Sequence, residues 1–284
     1  MAHADVVHEL LVRYLDAWTA RVLHSPRSVA YTQVSASAYD AAGAALAAAR
    51  VFAEFADRAR GRTLALDVAC PDEATAERVR GAVAAESGIA PGVVRLTVTA
   101  GPSPVLMESA SVFAYLDHHG EEPPTAATLG TLAGRRGLEV LVRGPAVALD
   151  AWPWRAAVEL VARDASAETV SFAAGDERAL AVFKDELWAL DEYAGIRYRD
   201  PGDAEGTLLD ISLRPALGPL RRAVCGHLGG GARTLAQLRA WALTGTIYRA
   251  DDVTRAVTEL HHSGAVLRQP VGGRLTAATM LSLA

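Results

Sequence analysis

Of the 284 residues only Lys184 is a lysine; every other basic side chain apart from histidine is arginine. With the excess of alanine and glycine, this reads as a GC-rich coding bias rather than as chemistry. Cysteine is nearly absent: Cys70 and Cys225 lie far apart and form no Cys-x-x-Cys pair. That argues against a disulfide framework or a thiolate zinc site, and both are expected as small buried residues. No segment approaches the roughly 20 apolar residues of a membrane span. The opening MAHADVVHELLVRYLDAW lacks the basic start and unbroken apolar stretch of a secretory signal, so a cytoplasmic location without membrane contact is expected. Glycine is missing at one telling place. The first strand, near 28–34, runs into Ser35-Ala36-Ser37-Ala38, with no glycine and no acid before Asp40. Nucleotide-binding α/β folds normally put glycine there so that the backbone can approach the ligand.

What is present is a large core. Hydrophobic residues make up 51% of the chain, which argues against long disorder and suits one large domain or two smaller ones. Charge divides unevenly. From Arg214 to Ala284 there are nine arginines and three acids, a net of +6, which leaves −11 for 1–213. An acidic body with a basic tail suggests two units with different partners, or two halves that attract each other.

Apolar positions with helical spacing (Val6, Val7, Leu10, Leu11, Tyr14, Leu15, Trp18) predict an amphipathic helix over 4–23, ended by Ser25-Pro26. A βα rhythm follows, with strands near 28–34, 64–69, 93–99, 111–117 and 138–143 and helices near 40–59, 72–86, 124–134 and 151–163. Continuous apolar strands such as Leu138–Val142 suit a sheet covered on both faces. The alternation predicts a mainly parallel, doubly wound sheet. A late strand at 168–174 precedes a helix at 176–190 with Leu180, Phe183, Leu187 and Trp188 on one face. Asp200–Gly206 is the most linker-like stretch. Beyond it, helices near 215–228, 234–243 and 251–263, capped by Thr234 and Asp251, precede two short strands within 264–276 joined by Gly272-Gly273. Three helices and a hairpin form the winged-helix pattern. The expected architecture is therefore α/β, with a Rossmann-like, methyltransferase-type body over 1–205 and a C-terminal winged-helix domain over 206–284.

Four segments together resemble the three-Cys-motif partner family: Ser28–Tyr31 with its loop, Leu64–Asp67, Phe113–Gly120, and Phe183-Lys-Asp-Glu-Leu-Trp188-Ala-Leu-Asp191. The last is the most specific. The resemblance covers nearly the whole chain. It implies a class I methyltransferase fold followed by a winged helix, and a protein partner carrying a radical-enzyme-like three-cysteine motif. The family pattern also implies an acid and glycines in the first loop and Asp-Pro after the fourth strand. Here Gln33 stands where the acid is expected, and the fourth strand ends in Asp117-His118-His119. Both departures weigh against S-adenosylmethionine binding.

The candidate site residues follow from position. Ser35 and Ser37 could donate hydroxyls to a ligand, or mark a decayed glycine loop. Asp67, at the predicted end of the second strand, would take the ribose hydroxyls, or else act as a capping carboxylate. Asp117, His118 and His119, at the end of a central strand, are the candidates for acid–base work. Adjacent side chains on an extended segment diverge, so only one histidine is expected to face a cleft. No metal site is expected; His24 and Glu108 are the side chains that could approach as a third ligand. The expected function is a non-catalytic, methyltransferase-like partner or scaffold protein, a pseudoenzyme without cofactor. The alternatives are an active S-adenosylmethionine-dependent methyltransferase, or a nucleic-acid-associated protein using Arg221, Arg222, Arg233, Arg239 and Arg274 on phosphates. The exposed side chains expected on the third winged-helix helix (Asp252, Thr254, Arg255, Thr258, Glu259) include acids that disfavour sequence reading. The alanine-rich helix and the N-terminal helix could also bury a homodimer interface.

Overall fold

The computed structural model describes residues 2–24, 28–59, 61–86, 89, 92, 94–101, 111–190 and 195–284. Ser25-Pro26, Pro102–Pro104, Glu108 and Asp191 lie outside the described residues. The architecture is α/β, with one large mixed sheet, parallel in its core, and eight helices among the described residues. The elements begin with α1 (Ala2–Val22), β1 (Ser28–Ser35), α2 (Ala41–Glu54), β2 (Thr63–Cys70), α3 (Glu73–Ala84), β3 (Val94–Ala100), β4 (Ser111–Asp117), α4 (Ala126–Ala133) and β5 (Leu138–Gly144). They continue with β6 (Trp154–Val161), β7 (Ala167–Ala174), α5 (Glu177–Trp188), β8 (Arg197–Arg199) and β9 (Leu208–Asp210).

The nine strands run in the order β3-β2-β1-β4-β5-β7-β6-β8-β9. The first five in this order are parallel, and β7 is antiparallel to both β5 and β6. The order reverses between β1 and β4, which leaves a crevice at their carboxyl ends, the usual ligand position of open α/β sheets. Side chains on alternate strand positions serve two faces. One face (Tyr31, Phe113, Leu141, Phe172) packs under α1, α2 and α5. The other (Ala30, Val112, Val140, Ala173) packs under Leu129 of α4. The sequence periodicity of α1 is realised: Val6, Leu10, Tyr14 and Trp18 are fully buried. Each such side chain contributes about 1.5–3 kcal/mol of gross burial free energy.

The helix expected over 151–163 is instead strand β6, paired residue for residue with β7 from Trp154↔Ala174 to Val161↔Ala167. Its alanines suit a helix, but sheet pairing overrides that weak preference. The parallel connection from β5 to β6 is thus made by residues 145–153 with no helix. Leu149 and Trp152 from this crossover seal the second face of the sheet. The linker-like stretch 200–206 joins β8 to β9 at the sheet edge, where Asp200 accepts from the Gly202 and Ile247 amides.

The C-terminal segment forms α6 (Gly218–Leu228), β10 (Arg233–Thr234), α7 (Leu235–Gly245), α8 (Ala250–His262), β11 (Val266–Gln269) and β12 (Met280–Leu283), with a small antiparallel sheet ordered β10-β12-β11. Thr234 caps α7 in a reciprocal box with Gln237. The second hairpin strand falls at 280–283, beyond the expected 264–276. Helix α8 starts on Arg249 rather than Asp251, and Asp252 is buried, not exposed. The reason is local: Arg249 and Arg255 both bond the Asp252 carboxylate, at 3.0 and 2.9 Å, and neutralise it. Cys70 is buried as expected, whereas Cys225 is only partly so.

The Phe183–Trp188 motif has a structural task. Phe183 stacks on Phe172 at 4.4 Å. One turn of chain, Thr246–Tyr248, is gripped by the side chains beside it. The Lys184 ammonium donates to the carbonyls of Ala242, Thr246 and Tyr248 at 3.0, 2.6 and 2.8 Å, and Trp188 Nε1 donates to Ile247 at 3.0 Å. Lys184 is fully buried and sits at the carboxyl end of α7, where a cation is favoured. Burial pulls its pKa from 10.5 down to about 7, against the pull of Asp200 and Asp252.

Lys184→Ala removes the ammonium donor from the buried Thr246 and Tyr248 carbonyls, while Ala242 keeps the Thr246 amide and hydroxyl, and should cost about 2 kcal/mol or more, at about 1–3 kcal/mol for each unsatisfied group; urea unfolding measures it. The pH dependence has a definite sign. Between about 7 and the unfolded value of 10.5 the unfolded chain holds the extra proton, so stability should rise with pH across that window. Lys184→Met should flatten that rise; a profile unchanged by the substitution would mean that Lys184 keeps its proton throughout.

Candidate functional site

The crevice between β1 and β4 is the place to look for chemistry, and the sequence candidates do meet there. Ser35 and Asp117 are register partners at the ends of the two strands, and the Ala36 amide donates to the Asp117 carbonyl at 2.8 Å. The loop after β1 closes on its own chain. Gln33, fully buried, donates to Ser35 Oγ and to the Ala41 carbonyl, both at 2.9 Å, and faces the Tyr31 hydroxyl at 3.2 Å. Ser37 Oγ accepts from the Tyr39 amide at 3.3 Å. Asp40 then takes a left-handed φ of 53° and leads into α2. Its carboxylate lies where a Cβ on Gly43 would stand, so a larger residue at 43 would require Asp40 to turn aside.

Beneath the loop is a buried ionic cluster. Arg143, on β5, is 1% exposed in its side chain and forms a fork with Glu168 of β7, Nε to Oε1 at 2.9 Å and a terminal nitrogen to Oε2 at 3.1 Å. A second terminal nitrogen lies 3.6 Å from Asp117 Oδ2. Asp117 also accepts from the His119 amide at 3.1 Å, and the Tyr115 hydroxyl is 3.4 Å away. His119 Nδ1 sits 2.5 Å from Glu168 Oε1, and its ring packs on Tyr39 at 4.6 Å. Tyr39 in turn lies over the Arg143 guanidinium at 5.3 Å. His118 diverges, as expected for its neighbour in an extended segment, and its Nδ1 meets the Glu122 carbonyl at 2.6 Å.

The electrostatics follow from this packing. Burial works against the Arg143 charge, but its hydrogen bonds to Glu168 and the surrounding negative groups outweigh it and raise its pKa. Burial likewise opposes the Glu168 charge, yet Arg143 and His119 hold its carboxyl below the ordinary range. Asp117 is the reverse case: burial raises its pKa despite Arg143 and the His119 amide. Each charge is spent on a neighbour in the same chain.

Asp67 does not join them. It lies three residues inside the end of β2, on the opposite face of the sheet, level with Thr32 and Thr97. Burial raises its pKa, against a hydrogen bond to Thr97 and the charge of Arg95. Among the described residues, one carboxylate oxygen of Asp67 and the Thr32 hydroxyl find no hydrogen-bond partner. The acid nearer the strand end is Asp72, which caps α3 by accepting from the Thr75 amide at 2.7 Å. His24 is exposed at the far, amino-terminal side of β1, away from the histidine pair. Among the described residues no cluster of three metal-ligating side chains occurs.

Arg143, Glu168 and Tyr39 were missed as site residues. A signal existed for one of them: Glu139 and Arg143 interrupt an otherwise apolar strand at even spacing, so both point to the same buried face. Glu139 is the counterpart at the other end of β5. Tyr14 donates to it, and Arg21 bonds both its oxygens at 2.7 and 2.8 Å, pinning α1 across the sheet.

These features define an α/β protein with a buried ion-pair cluster at the carboxyl ends of its central strands. No protein-family model matches the chain, and no curated protein matches it. Among the described residues no helix is long and apolar enough to cross a membrane.

Glu168→Gln keeps the side-chain shape but leaves Asp117 at 3.6 Å as the remaining carboxylate beside Arg143, and should destabilise the fold by up to about 3 kcal/mol. Because the folded Glu168 pKa is lowered, its stabilisation is complete above the ordinary glutamate value and is lost as pH falls through the folded one. Acid titration of unfolding should therefore lose part of its slope in the variant; an unchanged slope would place the acid-sensitive group elsewhere.

Proposed function

We propose that this chain is a non-catalytic, methyltransferase-like protein that works by holding a protein partner. The strand order, reversing between β1 and β4 and ending in an antiparallel β7 between β5 and β6, supports a Rossmann-like, methyltransferase-type body. The α6-β10-α7-α8-β11-β12 order with a β10-β12-β11 sheet supports a C-terminal winged helix. The observation that carries the functional reading is the filled crevice. Arg143, Asp117 and Glu168 saturate one another under Tyr39 and His119, at the place where such a sheet would admit a cofactor. A ligand there would have to break a buried charge network, at a cost of several kcal/mol. Ser35 and Ser37 are engaged within the chain, and Asp67 faces the other side. A three-cysteine, radical-enzyme-like protein remains the partner that the sequence resemblance suggests.

A nucleic-acid role has less support. Arg221 pairs with Glu259, and Arg222 with Asp203 and Glu205, so these cations are already opposed by acids.

Titration with S-adenosylmethionine and S-adenosylhomocysteine by calorimetry tests the reading. No heat is expected. Saturable binding that Tyr39→Ala or Asp117→Asn changes would sink it and restore the methyltransferase alternative.

A further inference from the structure

We propose that the groove between α5, residues 213–214, α7 and the start of α8 docks an acidic peptide segment of a partner protein, one that also carries an apolar anchor side chain. This rests on the partner-holding reading above and names the chemistry of that partner. The groove measures about 590 Å³, a size typical of binding sites. Its apolar lining residues are Ala181, Leu213, Leu243 and Ala250. Leu213 is 65% exposed, an unusual position for leucine and a ready contact for an apolar side chain. Its rim carries Arg214, Arg239, Arg249 and Arg255.

Three aspartates share the groove, and their states decide its sign. Asp252 is buried and fully engaged by Arg249 and Arg255, so it offers no repulsion. Asp185 is on α5, and burial raises its pKa despite the attraction of Arg249 and disfavours its charge. Asp251 is 88% exposed and meets Arg239 at 2.9 Å, a solvent-screened pair that an incoming carboxylate can replace. Arg214 is exposed and enters no ion pair among those seen in the described residues. Two arginines are thus available beside an exposed leucine. Carboxylates would meet Arg214 and Arg239 while an apolar side chain covers Leu213 and Leu243. Arginine forks suit carboxylates, and complementary charge sets register and encounter rate. The walls come from α5 on one side and from α7 and α8 on the other, and the Lys184 and Trp188 contacts to residues 246–248 hold the two sides together.

The test uses the full chain and a fluorescein-labelled peptide rich in Glu and Leu, followed by anisotropy. Saturable binding is expected, weakening about tenfold or more as salt screens the contacts. Arg214→Glu and Arg239→Glu should each reduce affinity, and the pair should abolish it, with circular dichroism and urea midpoint unchanged because both side chains are at the surface. A peptide with Lys for Glu should not bind, and one with Ser for Leu should bind more weakly. Absence of saturable binding, equal binding of the Lys peptide, or indifference to both charge reversals would overturn the proposal. Its failure is separable from that of the functional reading. A silent peptide with no cofactor heat removes the groove alone, whereas cofactor binding removes the scaffold reading whatever the peptide does.

Discussion

A single ammonium group under the end of a helix sets the relation between the sheet and everything after it. In its charged form Lys184 has three protons for three carbonyl acceptors, two of them in the last turn of α7 or just beyond it. An arginine fork is planar and cannot reach three convergent oxygens from one point, whereas a compact ammonium can. In a chain that otherwise uses arginine for its permanent cations, this position has a geometric reason to be lysine. Trp188, one helical turn along, and Asp200, on the sheet edge, hold the same 246–248 turn from two further directions. The apolar core then runs without a break from α1 to β12.

The crevice shows the same economy with a different outcome. Buried charges cost several kcal/mol each unless they are paired and hydrogen-bonded. Arg143 meets that condition with Glu168, Asp117 and the ring of Tyr39, and His119 completes the set from above. The arrangement stabilises one closed conformation. The carboxylates face a guanidinium, and the imidazole of His119 faces the Glu168 carboxylate. The residues that looked catalytic by position are held by their neighbours.

The sequence revealed elements wherever one periodicity ruled. Helix α1 was legible because its seven large apolar residues fall on one face, strands such as β2 and β5 because covered strands read as apolar runs, and the edge strand β3 because its residues alternate. The cap at Thr234 was legible from residue type alone. Strand β6 was not, because Trp154-Arg-Ala-Ala-Val-Glu-Leu-Val mixes helix-favouring alanines with partly exposed positions, and its identity is fixed by β7 on one side and β8 on the other. Asp67 was misplaced because an apolar strand gives no mark of where it ends. The site was half visible: Ser35, Asp117 and His119 were found from their strand-end positions, while Arg143 and Glu168 needed the register between β5 and β7, which local pattern does not contain.

The grip of α5 on the later chain also bears on synthesis. Lys184 leaves the ribosome about sixty residues ahead of the carbonyls that receive it, its partners lying 58, 62 and 64 positions further on. During that interval α5 carries a cation meant for a dry site and an indole, Trp188, whose partner is not yet made. The nascent sheet must therefore wait in a state whose future interface is wet, and the last third of the chain arrives as the piece that dries it.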